Sequence, residues 1–230
     1  MKILDVSQAN ETDEWLEARK GKITGSAGDG QLSSKLGVAF WNMLAERIAA
    51  PADSENAAER GHRLENINAQ MTVQAHGLRN PLYDTKLWVR EDYPDIAVSP
   101  DCHENVPEPT WAVECKSLSS AKHLSIVVPI VLGEAWEQVS GKKHDSVLDY
   151  LPSPYRFQAL QYFVVDDSLQ HLYFSFYDPR VMLEHYQRVD VDIKREAIQD
   201  EITERLEAEK KTLEVVGTIR EAGGENEAGF

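Results

Sequence analysis

The segment between residues 82 and 117 most constrains the fold, because it is built differently from the rest of the chain. Three short runs rich in β-branched and aromatic residues follow one another there, and turn residues separate them at 93–95 and 105–109. Runs of this kind, bounded by Pro, Asn and Asp, are typical of strands joined by short turns. The sequence therefore predicts an antiparallel meander made of LYDTKLWVR, DIAVS and TWAVECKS.

Segments with helical periodicity lie on both sides of this meander. Apolar spacing together with start and stop signals predicts helices over 10–20, 36–49, 55–75 and 154–166. A strand is predicted over 170–177, and a mostly helical part is predicted from Arg188 onward. Residues 118–148 are less regular, and we expect a helix followed by an irregular insertion near Ser140 and Gly141.

These elements indicate an α/β fold in a single domain. A chain of 230 residues with 42% hydrophobic residues can fill one core. We expect the domain to span 1–215 with a helical C-terminal part, and 216–230 to form a disordered acidic tail.

The charge of the chain weighs against a nucleic-acid partner. The net charge is −15, and the acids outnumber the bases on both sides of residue 180. Proteins bind DNA by neutralising phosphates with Lys and Arg. A DNA-acting function therefore requires that the bases line a groove and that a metal neutralises the carboxylates.

The rest of the composition indicates a cytoplasmic protein. No apolar run is long enough to span a bilayer, and the first residues lack the apolar core of an export signal. Cys102 and Cys115 have no metal-type spacing and indicate a reduced compartment.

The chemistry centres on Asp101 and on the segment Glu114-Cys115-Lys116. Alternate residues of a strand share a face, so Glu114 and Lys116 point to one side. A paired strand ending in Asp101 would bring a second carboxylate beside Glu114. Two carboxylates suit Mg²⁺ or Mn²⁺, and a lysine can orient the attacking water in phosphodiester hydrolysis. Taken alone, the pattern is also compatible with an ordinary strand of alternating charges.

Further motifs in a fixed order make the pattern specific. From the N-terminus they are Trp15-Leu16-x-x-Arg19-x-Gly21-x-Ile23-Thr24-Gly25-Ser26, Gly61-x-x-x-Glu65, Ser99-Pro100-Asp101, Glu114-Cys115-Lys116, Pro152-x-x-Tyr155-x-x-Gln158-x-x-Gln161 and Tyr177-Asp178-Pro179-Arg180. This set resembles the phage lambda exonuclease family, the phage-type (YqaJ-like) recombinase nucleases of the restriction-endonuclease-like superfamily. The resemblance runs from about residue 10 to 180.

The resemblance implies a role for each matching residue. It implies a metal held by Asp101, Glu114 and the backbone carbonyl of Cys115, with Lys116 beside the attacking water and Glu65 as an additional catalytic acid. For the terminal 5′-phosphate it implies a pocket made of Arg19, Ser26, Ser99 and Gln158. Tyr155 and Gln161 are candidates for residues that support this site.

The resemblance also implies a fold and a function. We expect a restriction-endonuclease-like core, with a central mixed sheet of about five strands flanked by helices. The implied enzyme is an exonuclease that uses two Mg²⁺ ions (Mn²⁺ as an alternative). It digests the 5′-phosphorylated strand of duplex DNA in the 5′→3′ direction to mononucleotides and leaves 3′ overhangs for strand annealing. A homotrimer, a single-strand annealing partner and a location in the host cytoplasm follow by resemblance. The alternatives are an endonuclease of the same superfamily and a non-catalytic DNA-end-binding protein.

Overall fold

The computed structural model describes residues 13–23, 31, 36–51, 55–83 and 86–222. Its helices are α1 (Asp13–Arg19), α2 (Val38–Ile48), α3 (Ala57–His76), α4 (Ser120–Leu132), α5 (Glu134–Ser140), α6 (Ser153–Val165) and α7 (Gln199–Ala222). Its strands are β1 (Pro81–Leu82), β2 (Trp88–Val89), β3 (Ala97–Val98), β4 (Cys102–Glu104), β5 (Trp111–Lys116), β6 (His171–Tyr177) and β7 (Arg188–Lys194).

The chain divides into two compact units. Unit 1 comprises 1–64, 116–146 and 176–189, and unit 2 comprises 65–115, 147–175 and 190–230. The prediction of a single domain over 1–215 stays a prediction.

Unit 2 holds most of a five-stranded mixed sheet with the strand order β1-β4-β5-β6-β7. Strands β1 and β4, and β4 and β5, are antiparallel, with Cys102 opposite Val113 and His103 opposite Ala112. On one face, Ala69 of α3 packs with Cys102 and Val113. Helix α6 packs against β3 and α7. The predicted α/β class, with a central mixed sheet of about five strands, is confirmed.

Unit 1 has its own core, in which α2 packs against α4. Trp41 and Trp136 lie with ring centroids 5.5 Å apart, and Leu124, Val128 and Val181 complete the buried cluster. Gly133 separates α4 from α5, and irregular chain follows Gly141. The predicted helix followed by an irregular insertion is therefore confirmed for this stretch.

The meander is only partly as predicted. LYDTKLWVR does not form one strand: β1 joins the main sheet, whereas β2 pairs with β3 in a separate two-stranded sheet. Each hairpin is antiparallel, as the turn residues predicted. Which sheet each strand joins depends on hydrogen bonds to strands distant in sequence. The local pattern of residues does not encode this pairing.

The C-terminal part is mostly helical, as predicted, because α7 spans Gln199–Ala222, but two of its segments differ from the expectation. Residues 188–194 form β7 and not helix, because Val189, Val191 and Ile193 alternate with polar residues at the two-residue period of a strand. Helix α7 continues to Ala222, so 216–222 are helical, whereas disorder was expected. Residues 223–230 lie outside the described residues.

Candidate functional site

The hairpin of β4 and β5 places Asp101 beside the strand that carries Glu114. The Asp101 backbone N–H donates to the Val113 carbonyl oxygen at 3.1 Å, which extends the ladder by one residue before β4 begins. The Cys115 backbone N–H donates to the Asp101 carboxylate at 2.6 Å. Asp101 therefore precedes a strand instead of ending one, but its carboxylate is fixed against the Glu114-Cys115 peptide.

Glu114 is a buried carboxylate with two side-chain donors from α6. It is 3% exposed. Gln158 Nε2 donates to its Oε1 at 2.6 Å, and the Tyr162 hydroxyl donates to its Oε2. Burial, followed by the charge of Glu114, raises the pKa of Tyr162 well above its usual value, so its hydroxyl stays protonated and able to donate. The two donors fix the Glu114 side chain.

Tyr162 is a site residue that the sequence analysis missed. Its hydroxyl also lies 3.1 Å from the Ser99 carbonyl oxygen, so it contacts both segments that bear predicted site residues. One signal was available, because Tyr162 stands four residues after Gln158 and therefore on the same face of α6. Its aromatic ring nonetheless matched an ordinary core position in the sequence.

Four carboxylates lie near the Cys115 thiol. Burial is the largest cause that raises the pKa of Cys115 well above its usual value, and the charges of Asp101, Glu114, Glu65 and Asp190 raise it further. Glu65 of α3 thus acts on the same thiol as Asp101 and Glu114, while its role as an additional acid at the metal site stays a prediction. Such a concentration of negative charge in a partly buried place favours a bound cation.

The second cysteine is equally unreactive. Burial, followed by the charge of Asp101, raises the pKa of Cys102 to about 12. Both thiols are free and stay protonated near neutral pH. Because the thiolate is the nucleophile, neither cysteine is suited to covalent catalysis.

The residues present fit a hard divalent cation by their chemistry. Asp101 and Glu114 offer carboxylate oxygens, and an ionised carboxylate retains lone pairs beyond one hydrogen bond to each oxygen. In the described part of the chain, no three His, Cys, Asp or Glu side chains converge as a ready metal cage. Magnesium is commonly bound through one or two carboxylates and keeps several waters, so this set is compatible with it.

Lys116 is the last residue of β5, two positions after Glu114. Alternation along the strand puts its side chain on the same side as Glu114. Lys116 belongs to unit 1, while Glu114 belongs to unit 2. Its approach to the carboxylates therefore stays a prediction.

The predicted phosphate pocket is brought together in part. Ser99 and Gln158 both lie around Tyr162 in unit 2. Arg19, the last residue of α1, belongs to unit 1, where it lines a cleft together with two lysines and three acids (Lys20, Lys22, Asp13, Glu17 and Glu46). Ser26 lies outside the described residues. The joining of Arg19 to the other members stays a prediction.

The local structure explains why a glycine stands at position 21, in the motif that contains Arg19. Its φ is +63°, and a Cβ there would lie 2.9 Å from Arg47 Cγ. Arg47 Nε donates to the Gly21 carbonyl oxygen at 2.6 Å, which ties the end of α1 to α2. Gly61 differs, because a Cβ there would meet nothing within 4 Å. No contact within the described part of the chain therefore accounts for a glycine at position 61.

The two supporting candidates contact other parts of unit 2. The Tyr155 ring packs against Phe174, with centroids 5.8 Å apart. Gln161 Nε2 donates to Glu209 of α7 at 3.2 Å. Tyr155 and Gln161 therefore support the packing of α6, and Gln158 and Tyr162 reach the buried carboxylate.

A large cleft of unit 2 lies away from these residues. Its volume is about 980 Å³, and it is lined by Trp88, Arg90 and His103 together with several acids. Arg90 is already paired with Asp167 at 3.1 Å. None of the predicted catalytic residues lines this cleft, so its size alone does not mark a site of phosphodiester chemistry.

Comparison with known proteins gives a family match and a structural likeness. The model of the YqaJ-like viral recombinase domain matches residues 14–167. No curated protein matches the sequence. The chain is similar to the crystal structure of LHK-Exo in complex with dAMP, with 22% identity, coverage of 93% of this chain and 98% of that chain, and a TM-score of 0.48. It is similar to the alkaline exonuclease LHK-Exo from Laribacter hongkongensis with 20% identity, coverage of 93% and 99%, and a TM-score of 0.45. No described helix is both long and apolar enough to cross a membrane.

Proposed function

This chain belongs to the family of YqaJ-like viral recombinase domains, and from that membership we propose that it is a metal-dependent deoxyribonuclease that resects duplex DNA from 5′ ends. The observation that carries the proposal is the pair of carboxylates on the β4–β5 hairpin. Asp101 accepts from the Cys115 N–H, and Glu114 is held by two donors of α6. Asp101 and the Glu114-Cys115-Lys116 segment together would offer the two acids, the carbonyl and the lysine that metal-assisted phosphodiester hydrolysis uses.

In the proposed reaction, each site residue would have a separate role. Asp101, Glu114 and the Cys115 carbonyl would hold Mg²⁺ or Mn²⁺, two ions by resemblance, and Glu65 would add a further acid. The bound ions would supply charge neutralisation and a water of lowered pKa. Lys116 would donate to that water and to the charged phosphate oxygens, while Gln158 and Tyr162 keep Glu114 in one orientation.

The direction of digestion would come from the phosphate pocket. Arg19 offers a planar fork of donors to a terminal phosphate, and Ser26, Ser99 and Gln158 offer hydroxyl and amide groups. Hydrolysis that leaves a 5′-phosphate on the remaining strand would regenerate the group that this pocket recognises. Stepwise 5′→3′ release of mononucleotides would follow, with a 3′ overhang left for a single-strand annealing partner.

The acidic chain is compatible with a DNA substrate under one condition. The net charge of −15 repels phosphates at a distance, so binding has to depend on local cations. The carboxylates near Cys115 would be neutralised only when divalent ions are bound. We therefore expect that removing Mg²⁺ weakens DNA binding as well as hydrolysis.

The proposal is tested with linear and covalently closed duplexes, with and without Mg²⁺. Wild type is compared with Asp101→Asn and with the control Asp200→Asn, which removes the same charge from an exposed position in the first turn of α7. We expect wild type and Asp200→Asn to release nucleotides from linear DNA only, and Asp101→Asn to release none.

Each other outcome selects a different function. Efficient cutting of the closed circle would establish an endonuclease. Binding of DNA ends by wild type without Mg²⁺-dependent release would establish a non-catalytic end-binding protein. Full activity of Asp101→Asn would remove Asp101 from the metal site.

A further inference from the structure

The segment that follows Lys116 is fixed at successive residues within unit 1. Ser117 Oγ donates to the Tyr177 carbonyl oxygen at 3.1 Å. Ser119 caps α4 by accepting from the Lys122 N–H, and its carbonyl accepts from the His123 N–H. The connection between β5 and α4 is therefore tightly held, although it carries no predicted site residue of its own.

Two arginines converge on the Leu118 carbonyl in the middle of this segment. Arg180 Nη2 donates to it at 2.9 Å, and Arg60 Nη2 donates to it at 3.3 Å. Arg60 is only 6% exposed, so burial of its charge requires compensation. Two guanidinium groups, one buried and one 12% exposed, therefore donate to a single backbone carbonyl and use both of its lone pairs.

Asp178 holds the second arginine in place. Arg180 Nε and Nη2 donate to its two carboxylate oxygens at 2.8 and 2.9 Å, which is the bidentate geometry that fixes a guanidinium plane. Ser120 Oγ donates to the same carboxylate at 2.7 Å. Desolvation acts to raise the pKa of Asp178, but the bonds from Arg180 and Ser120 outweigh it and lower that pKa, so Asp178 stays ionised. We call Arg60, Asp178 and Arg180 the arginine clamp.

We propose that the arginine clamp is a positioning device for Lys116, with Arg180 as its main residue. The clamp fixes the backbone two residues beyond Lys116 and so fixes the direction in which the Lys116 Cα–Cβ bond leaves the strand. A lysine has a flexible stem of four carbons, and a fixed starting direction restricts where its ammonium can reach. The inference rests on the proposed function, in which Lys116 orients the attacking water.

The test is a double-mutant cycle on the full chain with linear 5′-phosphorylated duplex and Mg²⁺. Arg180→Lys keeps the charge and loses the fork. Because small displacements of a catalytic group are costly, we expect Arg180→Lys to lower kcat about tenfold to a hundredfold and to change KM by less than about twofold. In a Lys116→Ala background the same substitution should lower the residual kcat by less than about twofold, because the group that it positions is gone.

A matched control lies on the same helix as Arg60. Arg63 forms a two-pronged ion pair with Glu55 at 2.9 and 2.6 Å, and its side chain is exposed. Arg63→Lys should leave kcat within about twofold of wild type, as surface substitutions usually do. If Arg180→Lys does not unfold cooperatively, Arg60→Lys takes its place in the cycle, with the same pattern expected.

The outcomes separate this inference from the proposed function. Wild type that hydrolyses DNA, with equal kcat losses from the clamp substitution in both backgrounds, would show that the clamp serves stability alone and would overturn the inference. A loss confined to KM would overturn it as well. A wild type that does not hydrolyse duplex DNA with Mg²⁺ would remove the proposed function first and the inference with it.

Discussion

At the scale of single residues, the site is defined by what surrounds Glu114. A carboxylate that is 3% exposed needs partners, and α6 supplies them from Gln158 and Tyr162. Gln158 was predicted as a ligand of the 5′-phosphate, but in the structure its amide donates to Glu114. If Gln158 also binds the 5′-phosphate as predicted, it would couple recognition of the strand end to the metal site.

Removal of one hydroxyl tests the support of Glu114. Tyr162→Phe should weaken Mg²⁺ binding or activity about tenfold to a hundredfold, because a residue that orients a metal ligand has effects of that size. The loss is measured by titrating the activity of Tyr162→Phe and of wild type against the Mg²⁺ concentration. Tyr173→Phe, on the other face of the sheet, is the control and should have little effect. Equal Mg²⁺ dependence of Tyr162→Phe and wild type would contradict the assignment.

A second residue-scale prediction concerns the 5′ end. Arg19→Ala should erase most of the preference for a 5′-phosphate over a 5′-hydroxyl, because a charged hydrogen bond is worth about 1.5–3 kcal/mol, or about tenfold to a hundredfold. Two end-labelled duplexes that differ only in the terminal phosphate measure it. Lys20→Ala removes a neighbouring charge that already pairs with Glu17, and it should keep the preference. A wild type without any preference would refute the pocket.

At the scale of elements, helices were the most predictable part and strand partners the least. The stop signal at Pro51 and the periodicity of 154–166 located α2 and α6 to within a few residues. The wrong assignment of 188–194 arose because the helical spacing of Ile198, Ile202 and Leu206 was extended backward over an alternating segment. The two-residue alternation of 188–194 already indicated a strand. The change from this period to the helical spacing marked the boundary between the strand and the helical part.

The site was predictable to the extent that it is local in sequence. Asp101, Glu114 and Lys116 could be named because one hairpin carries all three. Tyr162 and the arginine clamp could not, because each joins segments that are distant in sequence. Asp178 and Arg180 were recognised as part of a motif, but only the bonds to Leu118 and Ser120 show what they hold.

Helix α4 contains a group that makes stability depend on pH. His123 is fully buried, and its Nε2 donates to the Tyr186 carbonyl oxygen at 2.8 Å. Burial lowers the pKa of His123 below 6.5, while the Tyr186 bond and Asp178 raise it and Arg180 lowers it. The unfolded chain therefore binds a proton more readily, and stability should fall as the pH drops from 6.5 toward the pKa of the folded state.

Urea unfolding at pH 7 and pH 5 measures this effect. Wild type should lose more free energy of unfolding between these values than His123→Gln, whose amide can still donate to the Tyr186 carbonyl oxygen. The other histidines are the same in both proteins, so the difference isolates His123. Identical losses in the two proteins would show that His123 is not responsible.

At the scale of the whole molecule, family membership and charge point in different directions. The chain belongs to a recombinase family, and its net charge of −15 opposes nonspecific contact with DNA. The proposed site, which would depend on bound cations and on the phosphate of a strand end, would reconcile the two. Affinity would then come from a few local contacts, and a weak salt dependence of binding should accompany it.

The assembly is predicted by family resemblance. We expect a homotrimer, and light scattering should give three times the chain mass of 26.0 kDa. A mass of 26.0 kDa across micromolar concentrations, with and without DNA, would exclude it. The linear-duplex assay tests the proposed nuclease activity independently of the assembly, so a monomeric mass would not contradict that activity.

The packing of α7 on α6 has a consequence for the order in which the protein is made. Helix α6 carries the two donors to Glu114, and Gln161 on the same helix bonds to Glu209 of α7, far later in the chain. While the ribosome is still synthesising the residues before α7, α6 lacks this partner. The helix that supports Glu114 therefore gains this contact late in translation, and the candidate site of a nascent chain lacks it until α7 has emerged.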